Sequence, residues 1–260
     1  MSLTWSVPAG RGGATAQERR TVLDVCARVC RERSAALIAG AGSNDTRASA
    51  EALAELAAWP EVSAALTVVP YYTRPAQDGI LAHFTRVAAD SPVPVLVYNI
   101  PYRTGASLSS ETLRELAAVP GIVGVKHAVG GIDHDTVMLM ADVPEDFAVL
   151  AGDDLFASPL LALGAAGGIL ASAHVCTRAY ADLVAAWRAG EAERGRELGN
   201  RLAPLSAALF AEPNPCVIKG VLHALGKIPS PAVRLPLLPA HDDSVHAVMG
   251  LLRPPHGCAS

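Results

Sequence analysis

Short apolar runs recur along the chain, and each is followed by a stretch with helical spacing. The runs are Ala35–Ala39, Ala65–Val69, Val93–Tyr98, Ile122–Lys126, Phe147–Ala151 and Gly168–Ser172, with a partial one, Leu3–Val7, at the start. They are mostly continuous rather than alternating, the pattern of strands buried on both faces. The intervening 3.6-residue periodicity predicts helices over 16–33, 46–58, 77–89, 109–119, 133–141, 155–163 and 180–189. Thr15 and Glu18 form a capping box that opens the first, with Val22, Leu23, Val25, Cys26, Val29 and Cys30 as its apolar face. Pro60, Pro92 and the pair Pro120-Gly121 mark where three others end. This alternation predicts βα units with right-handed parallel crossovers. Seven strands in one domain favour a (βα)8 TIM barrel over an open doubly wound sheet. After Ala189 the pattern is all helical, over 191–210, 215–225 and 243–252. The expected organisation is therefore a barrel over 1–189 and a C-terminal helical extension over 190–260.

Composition narrows the function classes. Apolar residues make up 51% and charged residues 18% of the 260, which supports a large core and excludes disorder. A net charge of −4 leaves no basic field for nucleic acid or an anionic membrane, so neither is expected as a partner. The uncharged stretch Leu155–Thr177 is long enough to span a bilayer, but Pro159, Gly164, Gly167, Gly168 and His174 interrupt it and favour buried α/β core. The five cysteines are scattered and form no C-x-x-C pair. That pattern disfavours a disulfide scaffold or a structural zinc site and fits a reducing cytoplasm. The N-terminus has no basic segment followed by an apolar run, so no signal peptide is expected.

Barrel chemistry belongs at the C-terminal ends of strands. Only Lys126, Lys219 and Lys227 among the 21 basic residues are lysine, so a retained lysine draws notice. Lys126 closes a strand candidate. Desolvation there favours a neutral amine able to form a Schiff base, while a structural ion pair at the barrel mouth is the alternative. Tyr98 closes the preceding strand, where a phenol can relay protons or simply pack in the core. Arg103 follows in Asn99-Ile-Pro-Tyr-Arg-Thr-Gly105, suited to a bidentate grip on a carboxylate or to a plain surface role. Tyr71 and Tyr72, after another strand end, fit either an interface or the packing of a rim loop. Gly152-Asp153-Asp154 and Gly167-Gly168-Ile169 let backbone approach a small ligand. The acidic pair finds no third carboxylate nearby, so no metal is expected.

These pieces, in this order, resemble the dihydrodipicolinate synthase / N-acetylneuraminate lyase family of pyruvate-dependent class I aldolases. The matching segments are Ile38–Asn44, Thr67–Pro75, Val97–Gly105, Gly121–Ala128, Leu150–Asp154, Leu163–Leu170 and Glu212–Gly226. The resemblance implies a (βα)8 barrel with C-terminal helices, assembled as a homo-oligomer: a dimer, or a tetramer of tight dimers. It implies pyruvate and a small aldehyde as substrates, with no metal or organic cofactor. Carried over, Lys126 is the Schiff-base lysine, Tyr98 the proton-relay tyrosine, and Tyr72 the tyrosine that reaches a neighbouring subunit's site. Arg103 binds the second substrate's carboxylate, and Gly152 and Ile169 line the pyruvate pocket. Arg103, Glu212-Pro-Asn-Pro215 and Arg234–Pro239 resemble the synthase branch, which joins pyruvate to aspartate semialdehyde for lysine synthesis. Three departures stand out. The family's first strand and helix have no counterpart. Its Gly-Thr-Thr-Gly-Glu loop is replaced by Ser6–Gly13, without threonine. His127 and His174 stand where the family has an acid and an asparagine.

Overall fold

The computed structural model describes residues 5–7 and 14–252, in two compact units, Met1–Leu150 and Ala151–Ser260. In the first unit the strands are β1 (Trp5–Val7), β2 (Leu37–Gly40), β3 (Val62–Val68), β4 (Val95–Asn99), β5 (Ile122–His127) and β6 (Ala148–Ala151), the last of which ends one residue into the second unit. Each is hydrogen-bonded to the next in chain order, and the pairs from β1/β2 to β4/β5 are parallel. An order that never reverses puts each right-handed crossover on the same side, the winding of a barrel rather than of a doubly wound sheet. The fold is therefore TIM-barrel-like α/β, as the pattern predicts. The strands are apolar throughout because the sheet is covered: all four residues of β2 are buried, and Ala65, Val95, Val97 and Val125 are fully so.

The helices of this unit are α1 (Ala16–Arg33), α2 (Thr46–Ala54), α3 (Gln77–Ala89), α4 (Pro101–Thr104), α5 (Ser110–Ala117) and α6 (His134–Met140). The capping box forms as predicted: Thr15 Oγ1 accepts from Glu18 N at 3.2 Å, and Glu18 Oε2 accepts from Thr15 N at 2.8 Å. The buried stripe of α1 is Leu23, Ala27 and Cys30, narrower than expected, while Val22 and Val25 are about half exposed. The last turn of the predicted 46–58 helix tightens into a 3-10 turn, Glu55–Ala58. The helix α4 was not predicted. Its signature is nonetheless in the sequence, with Pro101 at the first helical position and Gly105 just past the end at φ +74°.

The second unit holds β7 (Gly167–Gly168) and five helices, α7 (Ala157–Ala162), α8 (Thr177–Arg188), α9 (Ala192–Leu209), α10 (Cys216–Ala224) and α11 (Asp242–Leu251). Of the predicted strand Gly168–Ser172 only Gly168 lies in β7, because two residues further on the chain turns into a 3-10 turn, Ala171–His174. Asp154 holds that turn, accepting from the backbone N–H groups of Ala171 and Ser172. Helices α8 and α9 pack together, and the buried Tyr180 hydroxyl lies 2.6 Å from Ser206 Oγ. Burial pushes that phenol up to about 12. Cys26, Cys30 and Cys216 carry free thiols. Among the described residues no helix is long and apolar enough to cross a membrane.

His83 on α3 is 5% exposed, with Nδ1 2.9 Å from Thr46 Oγ1 and its ring edge-on to Phe84. Burial drives its pKa from 6.5 down to about 4, against the opposing pull of Asp45. The unfolded chain therefore takes up this proton first. The stability His83 contributes is complete above pH 6.5 and drains away as pH falls toward 4, by up to roughly 3 kcal/mol. Urea midpoints of wild type and His83→Leu at pH 7.5 and 5 should show a smaller acid-induced drop in the variant; equal drops would refute this source of acid sensitivity.

Candidate active site

The site residues of the first unit sit where β3, β4 and β5 end. Alternation sends successive side chains of a strand to opposite faces. Register pairs Tyr98 on β4 with Lys126 on β5, so both leave the sheet on one face; Asn99 pairs with His127, and both leave on the other. Lys126 Nζ lies 4.3 Å from the centroid of the Tyr98 ring, within cation–π range, and both residues are half-buried. The spacing of β5 rests on Gly124. A Cβ there would sit 2.3 Å from the Ala148 carbonyl oxygen on β6 and 3.0 Å from Leu96 Cδ2. Any side chain at Gly124 would push β5 off its neighbours, two residues before the lysine.

Tyr72 lies in the loop after β3. Thr73 N–H donates back to the Tyr71 carbonyl at 2.9 Å, closing a three-residue turn centred on Tyr72 at φ +72°. A tyrosine in that region is strained by order 1–3 kcal/mol, and such strain concentrates at functional loops. The turn throws Tyr72 outward, 88% exposed, while Tyr71 is only 37% exposed. Arg74 also has positive φ, and its guanidinium lies against Gly105, where a Cβ would come within 2.6 Å of Nε. Gln77 joins the same two loops: its Nε2 donates to the Ser107 carbonyl at 2.8 Å, and its Oε1 accepts from Ser109 N at 3.1 Å.

Arg103 is exposed on α4, one turn past Tyr98 and Asn99. The turn is held by Thr104, which is buried, with its hydroxyl 3.1 Å from the Ile100 carbonyl and 3.0 Å from that of Ala106. With Thr104 turned inward, Arg103 is left facing solvent. Gly152 and Ile169 belong to the second unit. Gly152 directly follows β6, and Ile169 N–H donates to the Ala151 carbonyl at 2.9 Å. His174 is exposed. Of the stretch Ser6–Gly13, expected in place of the family's threonine loop, Pro8–Gly13 lie outside the described residues.

A polar set lies on the helix-facing side of the strand ends, and of its members Thr67, Thr136 and Asp133 carry no motif that marks them in the sequence. Thr67 and Asn99 are fully buried there, and the Thr67 hydroxyl and both Asn99 amide atoms find no hydrogen-bond partner among the described residues. His127, also buried, lies 2.8 Å through Nε2 from Thr136 Oγ1. Polar groups interrupting apolar strands were the available signal. No group of three or more His, Cys, Asp or Glu able to hold a metal occurs among the described residues.

The model of the dihydrodipicolinate synthetase family matches residues 13–254. The chain belongs to that family. It is 42% identical over 217 residues to the 4-hydroxy-tetrahydrodipicolinate synthase of Aromatoleum aromaticum, covering 84% of this chain and 73% of that one. The enzyme of the same name from Methanopyrus kandleri is 40% identical over 247 residues, covering 92% and 80%. Among solved structures, the chloride-inhibited dihydrodipicolinate synthase of Acinetobacter baumannii complexed with pyruvate superposes with TM-score 0.88 at 33% identity, covering 95% of this chain and 83% of that one. A monomeric dihydrodipicolinate synthase variant superposes with TM-score 0.90 at 29% identity, covering 98% and 86%. The chain is thus a lyase-type enzyme of the dihydrodipicolinate synthetase family.

Gly124→Ala should lower the urea-unfolding free energy by roughly 2 kcal/mol or more, because the methyl group meets backbone rather than a side chain that can yield. A midpoint equal to that of wild type would show that β5 does not depend on this glycine.

Proposed function

We propose that this enzyme condenses pyruvate with aspartate semialdehyde through a Schiff base on Lys126, as a 4-hydroxy-tetrahydrodipicolinate synthase. The observation that carries the reading is the Lys126 amine held 4.3 Å over the Tyr98 ring by neighbouring strands, on the face opposite the helices. In this reading the neutral Lys126 amine attacks the pyruvate ketone carbon, and water leaves as the imine forms. Loss of a proton from the methyl carbon gives the enamine, whose carbon attacks the aldehyde and forms the new carbon–carbon bond. The aldehyde oxygen takes up a proton and the imine returns. The amine of the aldehyde substrate then adds to the imine carbon and expels the free Lys126 amine. The Tyr98 phenol, in reach of Lys126, moves protons to and from the adduct. Arg103, exposed beside that strand end, offers its fork to the carboxylate of the aldehyde substrate. Gly152 and Ile169 carry over from the family as pyruvate-contacting residues. No metal or organic cofactor takes part.

The exposed Tyr72, on a strained turn, supports assembly as a homo-oligomer in which this ring enters a partner's site. With a net charge of −4, neither nucleic acid nor membrane is proposed as a partner. We place the enzyme in the cytoplasm with its small substrates.

Pyruvate with borohydride should add one reduced adduct to the intact mass, located on Lys126 by peptide mapping and lost in Lys126→Arg. An adduct on Lys219 or Lys227 would overturn the assignment. Arg103→Ala should lower kcat/KM with aspartate semialdehyde by about 30-fold or more while pyruvate trapping stays near wild type. Equal loss of both would make Arg103 structural. Preference for another aldehyde in a panel assay would point instead to a related pyruvate aldolase, and trapping without any turnover to an impaired member of the family.

A further inference from the structure

The residue after Lys126 is a histidine, and the hydrogen on its Nε2 can be assigned from the bonds around it. His127 is 3% exposed and leaves the sheet on the helix side, back to back with the lysine. Its Nε2 lies 2.8 Å from Oγ1 of Thr136, which is fully buried on α6. That hydroxyl has a single hydrogen and lies 2.6 Å from Asp133 Oδ1. Burial pushes the Asp133 carboxyl up, but bonds from the Thr136 hydroxyl and N–H, with His127 nearby, outweigh it and hold the carboxyl below its ordinary range. Asp133 is therefore ionised at neutral pH and can only accept. Thr136 must give its hydrogen to Asp133, so its oxygen must accept from His127, and Nε2 must carry a proton. The same Asp133 oxygen accepts Thr136 N–H at 2.8 Å, capping the first turn of α6.

The chain of bonds His127 to Thr136 to Asp133 thus ties the last residue of β5 to the N-terminus of α6. Just past it the sheet runs out: Ala128 N–H donates to the Asn99 carbonyl at 2.9 Å, and residues 129–133 form a loop. The His127–Thr136–Asp133 bonds add an anchor at this strand end beyond the ladder to its neighbours. A twist about β5 at residue 127 would swing the amine of residue 126 across the Tyr98 ring. We propose that His127 is a positioning residue for Lys126, acting through Thr136 and Asp133. This role rests on the Schiff-base reading above for its effect on turnover, though not for its effect on the amine itself.

Two measurements on wild type, His127→Leu, His127→Gln, Thr136→Val and Thr136→Ser separate the two ideas. The first is the rate of acetylation of Lys126 by acetic anhydride, read by peptide mass spectrometry against Lys219 and Lys227 in the same chain. The second is kcat and KM with pyruvate and aspartate semialdehyde. His127→Leu and Thr136→Val should each shift the relative acetylation rate of Lys126 at least about threefold and lower kcat about tenfold to a hundredfold, with KM for the aldehyde unchanged. His127→Gln keeps an N–H near the same place, and Thr136→Ser keeps the hydroxyl, so both should return to within about twofold of wild type. The double variant His127→Leu/Thr136→Val should be no worse than either single one, since both cut the same chain. Wild-type labelling and kcat in the Leu and Val variants would overturn the proposal, as would failure of the conservative variants to rescue. Were the wild type to form no pyruvate adduct, the function reading would fall, while the acetylation rates would still decide whether His127 positions the amine.

Discussion

An amine cannot be left at the end of a buried strand without something to meet it. Lys126 is half-buried there, and its amine gives up part of its hydration. Here the Tyr98 ring lies against that amine, and the contact exists only because β4 and β5 are parallel and in a register that sets residue 98 opposite residue 126. A slip of one residue would send the lysine to the helix side and the histidine to the other. Everything that holds this register therefore belongs to the site: the apolar packing of Val95, Val97 and Val125, the close approach allowed by Gly124, and the bonds that end the strand at His127 and Ala128.

Much of this was legible in the sequence, for physical reasons. Doubly covered strands need continuous apolar runs, and those runs stand out between amphipathic helices. The Thr15/Glu18 capping box and the Gln77–Ala89 helix could be read directly because their end signals are local. What could not be read depended on tertiary geometry. Val22 and Val25 of α1 are apolar yet exposed, and only packing reveals that the stripe runs through Leu23, Ala27 and Cys30. The strand at Gly168–Ser172 has the right composition, but Asp154 captures the backbone of Ala171 and Ser172 and bends it into a 3-10 turn.

The candidate site divides in the same way. Lys126, Tyr98 and Arg103 stood out because each is the wrong residue for a buried strand or an ordinary turn. Of the helix-facing set, Asn99 and His127 were visible as polar strand ends, but Thr67, Thr136 and Asp133 were not, because their meaning is in the bonds. The Thr67 hydroxyl and the Asn99 amide are buried with no bond among the described residues, and each such atom costs about 1–3 kcal/mol. Stability is given up along the row directly behind the two strand ends that face the site, which is where local rules are expected to be broken for function.

The amide of Gln77 has one more implication. By gripping Ser107 and Ser109, with Arg74 lying across Gly105 between them, it makes the segment bearing Tyr72 and the segment bearing Arg103 into a single stiff platform. A residue inserted in either segment would break a contact held by the other, so drift in loop length is closed to this part of the molecule. Divergence in what the platform recognises must then proceed by exchange of side chains on an unchanging backbone, one ring or one guanidinium at a time.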